Sequence, residues 1–64
     1  MDIRTLTPAD VGRAVVYTPR HGEREDGVIT GWSDLFVFVR YGVQTVAKAT
    51  HPMDLAFLRD ARPQ

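Results

Sequence analysis

The residues best suited to metal chemistry are two histidines and a group of acids. The acids lie with His21 in one polar stretch, and His51 lies later in the chain. Neither His21 nor His51 has a partner at the spacing of metal ligands. Glu23, Glu25 and Asp26 offer carboxylate oxygens for a hard cation but lack the alternating order of a calcium loop. Because charged segments between strands ordinarily face solvent, the sequence favours a solvated loop. It predicts no metal and no cofactor.

Hydrolytic chemistry has one candidate nucleophile, Ser33, the only serine of the chain. A serine nucleophile needs a base and an orienting acid within hydrogen-bond reach. Ser33 precedes Asp34 between two apolar runs, and a tight turn selects both residue types for backbone reasons. The five glycines are scattered rather than grouped in a phosphate-binding loop. The sequence therefore predicts a protein that is not an enzyme.

Aromatic residues beside an arginine give the strongest indication of binding, because interface hot spots and base-stacking platforms share this combination. A small core also needs its aromatics, so Tyr41 is predicted to be buried and Trp32 to pack in the core or at its rim. Phe36 and Phe38 point outward together if the valines that alternate with them point inward. The candidate binding residues are Phe36, Phe38, Arg40 and Trp32, flanked by Arg20 and His21 of the polar loop.

Composition limits the range of partners. The chain has 64 residues, enough for one domain, and its lack of cysteine excludes disulfides and suits a cytoplasmic location. Eight Lys and Arg balance eight Asp and Glu, whereas a domain that holds phosphate backbones electrostatically is normally basic. Nucleic-acid binding is therefore disfavoured. No apolar run near the start is long enough for a signal peptide or membrane span, so we expect a soluble protein without membrane contact.

The elements that position these residues are predicted to be short strands. Thr7, Pro8 and Asp10 are typical of a one-turn helix near residues 8–11. Residues 13–17 form a β-branched and aromatic run, which predicts the first strand. The polar stretch that follows is predicted to be a projecting loop.

Two apolar runs, residues 27–32 and 35–41, are separated by Ser33 and Asp34 and predict a hairpin with a two-residue turn. The faces predicted from that turn are Val28, Thr30, Trp32, Leu35, Val37 and Val39 on one side and Ile29, Gly31, Phe36, Phe38 and Arg40 on the other. Both faces are then apolar. A hairpin with one solvated face should alternate, so the second face is either covered by another layer or is a binding surface.

The last third of the chain predicts two further strands. Residues 45–50 read as an edge strand whose lysine discourages edge pairing. A one-turn helix is predicted at residues 52–55 and a closing strand at residues 56–58. We expect residues 1–58 to form a single domain and the polar residues 59–64 to be a frayed tail.

Four segments carry a resemblance to known proteins: DVGRAVVYTPRHG, EDGVITGW, FVFVRYG and ATHPMDLAFL. They span roughly three quarters of the chain, and the chain resembles short uncharacterised proteins of bacteriophages and prophages whose fold is an SH3-like barrel. The resemblance implies an all-β, five-stranded barrel with one-turn helices near residues 8–11 and 52–55. SH3-like barrels bind peptides, nucleic acids and modified side chains, so the fold does not select the partner.

The expected function is that of a small interaction module, which binds a protein partner through the aromatic hairpin face. One alternative is a nucleic-acid-binding barrel in which Phe36 and Phe38 stack bases while Arg40, Lys48 and Arg20 contact phosphates. Another is a homo-oligomer in which the same face covers its own copy.

Overall fold

The structure, a computed structural model that describes residues 1–58, is a five-stranded antiparallel sheet with short 3-10 turns. Its strands are β1 (Ala14–Tyr17), β2 (Glu25–Trp32), β3 (Val37–Tyr41), β4 (Lys48–Thr50) and β5 (Leu55–Phe57). They lie in the order β4-β3-β2-β1-β5, so β5 returns beside β1. The predicted all-β class and five strands are confirmed. The predicted frayed tail at residues 59–64 lies outside the described residues.

The first predicted one-turn helix is confirmed as the 3-10 turn Pro8–Asp10. The Asp10 carboxylate accepts a hydrogen bond from the backbone N–H of Thr7 at 2.9 Å, the reach-back contact of a capping box. An earlier 3-10 turn, Ile3–Thr5, is capped by the Asp2 side chain and was not predicted. These two turns lead the chain to β1.

The β2–β3 turn contains four residues, so the predicted two-residue turn is wrong. Ser33 donates its backbone N–H to the carbonyl of Phe36 at 2.8 Å. The Ser33 hydroxyl oxygen also accepts from the backbone N–H groups of Leu35 and Phe36, at 3.3 and 3.2 Å. Trp32 consequently pairs with Val37, and Phe36 lies in the turn rather than on β3. The turn is longer because one side chain satisfies two of its backbone donors.

A register shift in β2 exchanges the predicted sides of Val28 and Ile29, whereas Trp32 shares a face with Val37 as predicted. Gly31 pairs with Phe38, but the next pair is Ile29 with Val39, which leaves Thr30 as an extra residue. The exposed Thr30 hydroxyl donates to the Phe38 carbonyl at 3.2 Å. One extra residue exchanges the sides of all residues beyond it. Ile29 therefore lies on the same face as Val39, and its predicted place on the Phe38 face is wrong.

The core lies on one face of the sheet. Its buried residues are Leu6, Val15, Ile29, Val37, Val39, Tyr41 and Leu55. The predicted burial of Tyr41 is confirmed, and Trp32 packs half-buried against this cluster as predicted. The Tyr41 hydroxyl lies 2.7 Å from the Thr50 hydroxyl, which joins β3 to β4 inside the core.

The two edge strands are shorter or shifted relative to prediction. β4 is an edge strand, as predicted, but it begins at Lys48, and Val46 is 71% exposed in the preceding loop. The second predicted turn is confirmed as the 3-10 turn Pro52–Asp54. β5 begins directly after it at Leu55, one residue earlier than predicted, because Leu55 fills the core.

Candidate functional site

Two of the residues considered for metal and hydrolytic chemistry, His51 and Ser33, take part in local structure. The His51 Nδ1 atom accepts from the backbone N–H of Met53 at 3.1 Å and caps the last 3-10 turn. The Ser33 hydroxyl is used inside its own turn. Within residues 1–58, no three His, Asp or Glu side chains converge as a group able to hold a metal ion.

The face of the sheet opposite the core, here called the outer face, follows from the strand register. Directly paired residues share a face, and side chains two apart on one strand also share it. Starting from the Val28–Arg40 pair, the register places these residues together: Ala14, Val16, Asp26, Val28, Phe38, Arg40, Ala49, Ala56 and, by alternation beyond β5, Leu58.

The outer face is mainly apolar, although it does not contribute to the core. Asp26 and Arg40 are its two charged residues, and both are exposed. Phe38 and Val28 are half-buried, and Val16 is only 6% exposed although it lies outside the core cluster. An antiparallel sheet with one solvated face normally presents polar side chains on that face. The exposed apolar residues of this face are Ala14, Ala49 and Ala56, and Phe38 and Val28 add partly exposed area beside them.

A shallow depression of about 360 Å³ lies at one end of the outer face. Asp26, Val28 and Arg40 line it together with Ala14 and Leu58. The ion pairs within residues 1–58 are Arg4–Asp2 and Arg13–Asp10, so neither charge of the depression is in an ion pair there.

The structure brings together only part of the predicted binding set. Phe38 and Arg40 lie on the outer face. Trp32 lies on the core face beside Val37, and Phe36, 40% exposed, lies in the turn. The exposed loop with Arg20 and His21 precedes β2, whereas Phe36 follows it. Because eight strand residues separate these ends by about 25 Å, the loop and the turn cannot form one contact surface.

Sequence reasoning missed most of the outer face. Ala14, Val28, Ala49 and Ala56 are small or medium side chains, which carry no chemical signal individually. Their shared face depends on the register of four strands and on the bulge at Thr30. One signal in the sequence could have indicated this face: the positions of β1 and β5 that alternate with the core residues are not polar. That signal can be used only when the bounds of the strands are known.

The Tyr41 hydroxyl belongs to the core face, opposite the outer face, and its residue is buried. Burial raises the pKa of Tyr41, and the hydrogen bond with Thr50 offsets part of that rise. The hydroxyl therefore stays protonated at neutral pH and serves as a buried cross-strand link. Its ring also lies 6.0 Å from that of Tyr17, tilted by 58°.

Comparison with known proteins returns no relatives. No protein-family model matches the chain, and no curated protein or solved structure matches it at a significant level. The similarity to short phage and prophage proteins thus stays a prediction from the sequence. Within residues 1–58, none of the helical segments has the length and apolar character needed to cross a membrane.

Proposed function

We propose that this protein is a small non-enzymatic interaction module that binds a protein partner through the outer face of its sheet. Phe38 and Val28 supply apolar contact area, and Arg40 supplies a charged anchor at the margin. The observation that carries the proposal is the apolar character of a sheet face that the core does not use. Aromatic and arginine side chains are the residues most enriched at interface hot spots.

We also propose that the sheet curls into an SH3-like barrel of the kind found in the phage proteins that the chain resembles. The two edge strands support this, because β4 ends at Thr50 and β5 begins at Leu55 with four residues between them. A flat sheet of five strands would hold its edges about 19 Å apart. Three of the four linking residues form a 3-10 turn that rises only about 2 Å per residue, and so short a link favours edges that lie closer together than this.

Partner capture by three forms of the protein tests the proposed function. The unmodified protein, Phe38→Ser and Leu35→Ser are immobilised and exposed to an extract of the source cells. Leu35 is the matched control because it is 70% exposed but lies in the turn, away from the outer face. We expect a protein retained by the unmodified chain and by Leu35→Ser, and lost with Phe38→Ser. Circular dichroism establishes that each variant is folded.

Equal capture by all three forms would show that the outer face is not the binding surface. Unfolding of Phe38→Ser would show that Phe38 is a structural residue and would equally remove it from the site. A milder variant, Arg40→Gln, then tests the same face, since Arg40 is exposed and its loss leaves the core intact.

The nucleic-acid alternative has less geometric support. Of its three phosphate contacts, only Arg40 lies on the face of Phe38. Lys48 pairs with Val39 on the core side of the sheet, and Arg20 precedes β2 at the far end. Backbone amide shifts during titration with short single-stranded DNA at two salt concentrations would nevertheless reveal this activity. Salt-sensitive shifts centred on Phe38 and Arg40 would favour it over a protein partner.

A further inference from the structure

We propose that the partner of the outer face is a second copy of this chain, bound face to face about a two-fold axis. The inference rests on the proposed function, since it names the occupant of the same surface. The juxtaposition that carries it is one exposed acid and one exposed base on adjacent strands of a single apolar face: Asp26 on β2 and Arg40 on β3.

Charge complementarity selects a second copy over other partners. The register pairs Arg40 with Val28, which places Asp26 diagonally across the β2–β3 ladder from Arg40. A two-fold axis between the sheets, midway between these side chains, sets each Asp26 opposite the Arg40 of the other copy. Such an interface is self-complementary, because a contact from one residue to another occurs twice. Both charges are then neutralised without a third molecule.

The other residues of the face suit close approach of two sheets. Ala14, which pairs with Val28 on the neighbouring strand, is small, so the facing backbones near the axis can reach the distance of about 10 Å at which sheets stack. Phe38 and Val28 provide the larger side chains that fill the space between them. The chain carries formal net charge zero, so no overall repulsion opposes association.

The size of the face predicts a weak dimer. A specific interface buries roughly 1,000 Å² or more in total, hence about 500 Å² from each copy. That is about one tenth of the 4983 Å² of accessible surface of this chain. A sheet curled as proposed above presents a convex outer face, so its central strands supply an area at or below this lower limit. Association should therefore depend on concentration within an accessible range.

Sedimentation of charge-reversed variants tests the inference. The variants are Asp26→Arg and Arg40→Asp, studied alone and as an equimolar mixture with the unmodified protein as reference. Between about 10 µM and about 1 mM, we expect the mean mass of the unmodified protein to rise from 7.2 kDa towards twice that value. Each variant alone should associate at least about tenfold more weakly, because like charges then face each other. The mixture should recover the mass, because both contacts again join opposite charges.

Three results would overturn the inference. The first is an unmodified protein that stays monomeric across the whole range, and the second is a dimer that both reversals leave unchanged. The third is a mixture that associates no better than its components. A monomer combined with capture of another protein that Phe38→Ser abolishes would leave the proposed function standing and reject only the second copy. Failure of both experiments would reject the outer face itself.

Discussion

Gly27 is the residue whose replacement the packing least permits. It lies in β2 between Val15 and Tyr41 on the core face. A Cβ atom added there would lie 2.6 Å from Val39 Cγ1 and 2.8 Å from the carbonyl oxygen of Arg40. The second contact is with backbone, so no side-chain rotation relieves it. Because Gly27 has no side chain, the Tyr41 ring and the backbone of β3 can pack directly against β2.

We predict that Gly27→Ala lowers the free energy of unfolding by about 1–3 kcal/mol, the usual result of overpacking a core. Urea denaturation measures the change. The matched control is Gly31→Ala, because an added Cβ there meets no atom within 4 Å. Gly31→Ala should change stability by no more than about 0.5–1 kcal/mol, with a gain possible through reduced entropy of the unfolded chain. Similar losses in both variants would contradict the packing argument.

The buried hydroxyl pair of Tyr41 and Thr50 predicts an asymmetric result. Tyr41→Phe leaves the Thr50 hydroxyl with the Lys48 carbonyl at 3.4 Å as a remaining acceptor. Thr50→Val leaves the Tyr41 hydroxyl without a partner among residues 1–58. An unsatisfied buried hydroxyl costs about 1–3 kcal/mol. Thr50→Val should therefore be the more destabilising single change.

A double-mutant cycle tests this pair. The variant with both changes should lose less stability than the sum of the single variants, since it leaves no hydroxyl unpaired. Thermal unfolding followed by circular dichroism gives the four values. Strict additivity would show that the 2.7 Å contact makes no energetic contribution.

At the scale of elements, local capping was predictable and strand register was not. The turn Pro8–Asp10 follows from three neighbouring residues, whose side chains and backbone satisfy each other. The prediction began the fourth strand too early because Thr45 and Val46 favour strands, although neither is paired in the sheet. Propensity describes what a segment tolerates, whereas pairing depends on what lies beside it.

The β2–β3 hairpin shows why the candidate site was only half predicted. Phe38 and Arg40 were correctly placed on one face, because two positions on a short regular strand share a side. Ile29 was misplaced because the bulge at Thr30 depends on the register across β3. The prediction placed Phe36 on the strand because it did not include the longer turn. That turn depends on two backbone N–H groups that donate to the Ser33 hydroxyl, and only the structure reveals these contacts.

The Asp10 capping contact predicts a pH dependence of stability. The backbone N–H of Thr7, and secondarily the Arg13 guanidinium at 3.0 Å, lower the pKa of Asp10 below its usual value. A carboxyl whose pKa is lower in the folded state adds stability above about pH 3.9, its unfolded pKa. That contribution is lost as pH falls through the folded pKa.

Carbon-detected NMR titration of the carboxyl group measures the Asp10 midpoint directly. Arg13→Gln should raise that midpoint but leave it below the unfolded value, because the Thr7 contact persists. Asp10→Asn should be less stable than the unmodified chain at neutral pH, with a smaller further loss between about pH 6 and pH 3. An unchanged loss in Asp10→Asn would assign the acid sensitivity to other groups.

For the whole molecule, the core face of the sheet supplies stability, and the outer face is the surface that we propose for recognition. Val15, Ile29, Val37 and Val39 are at most 1% exposed on the core face and leave no room for contact with a partner. No second layer of strands among residues 1–58 packs on the outer face, where Phe38 and Val28 are half-buried and Val16 is 6% exposed. A domain of this size has a small margin of stability, so its core face cannot also serve as a binding surface.

Adjacent positions on β3 test this division in one experiment. Val39→Asp places a carboxylate in the core, where an unpaired charge costs several kcal/mol against a total of about 5 kcal/mol or little more. We expect this variant to lose the dispersed amide spectrum of a folded protein. Phe38→Asp carries the same new charge one residue away on the outer face, so it should stay folded and lose self-association. A folded Val39→Asp protein together with an unfolded Phe38→Asp protein would show that the two faces are assigned the wrong way round, and unfolding of both would show that Phe38 is also a structural residue.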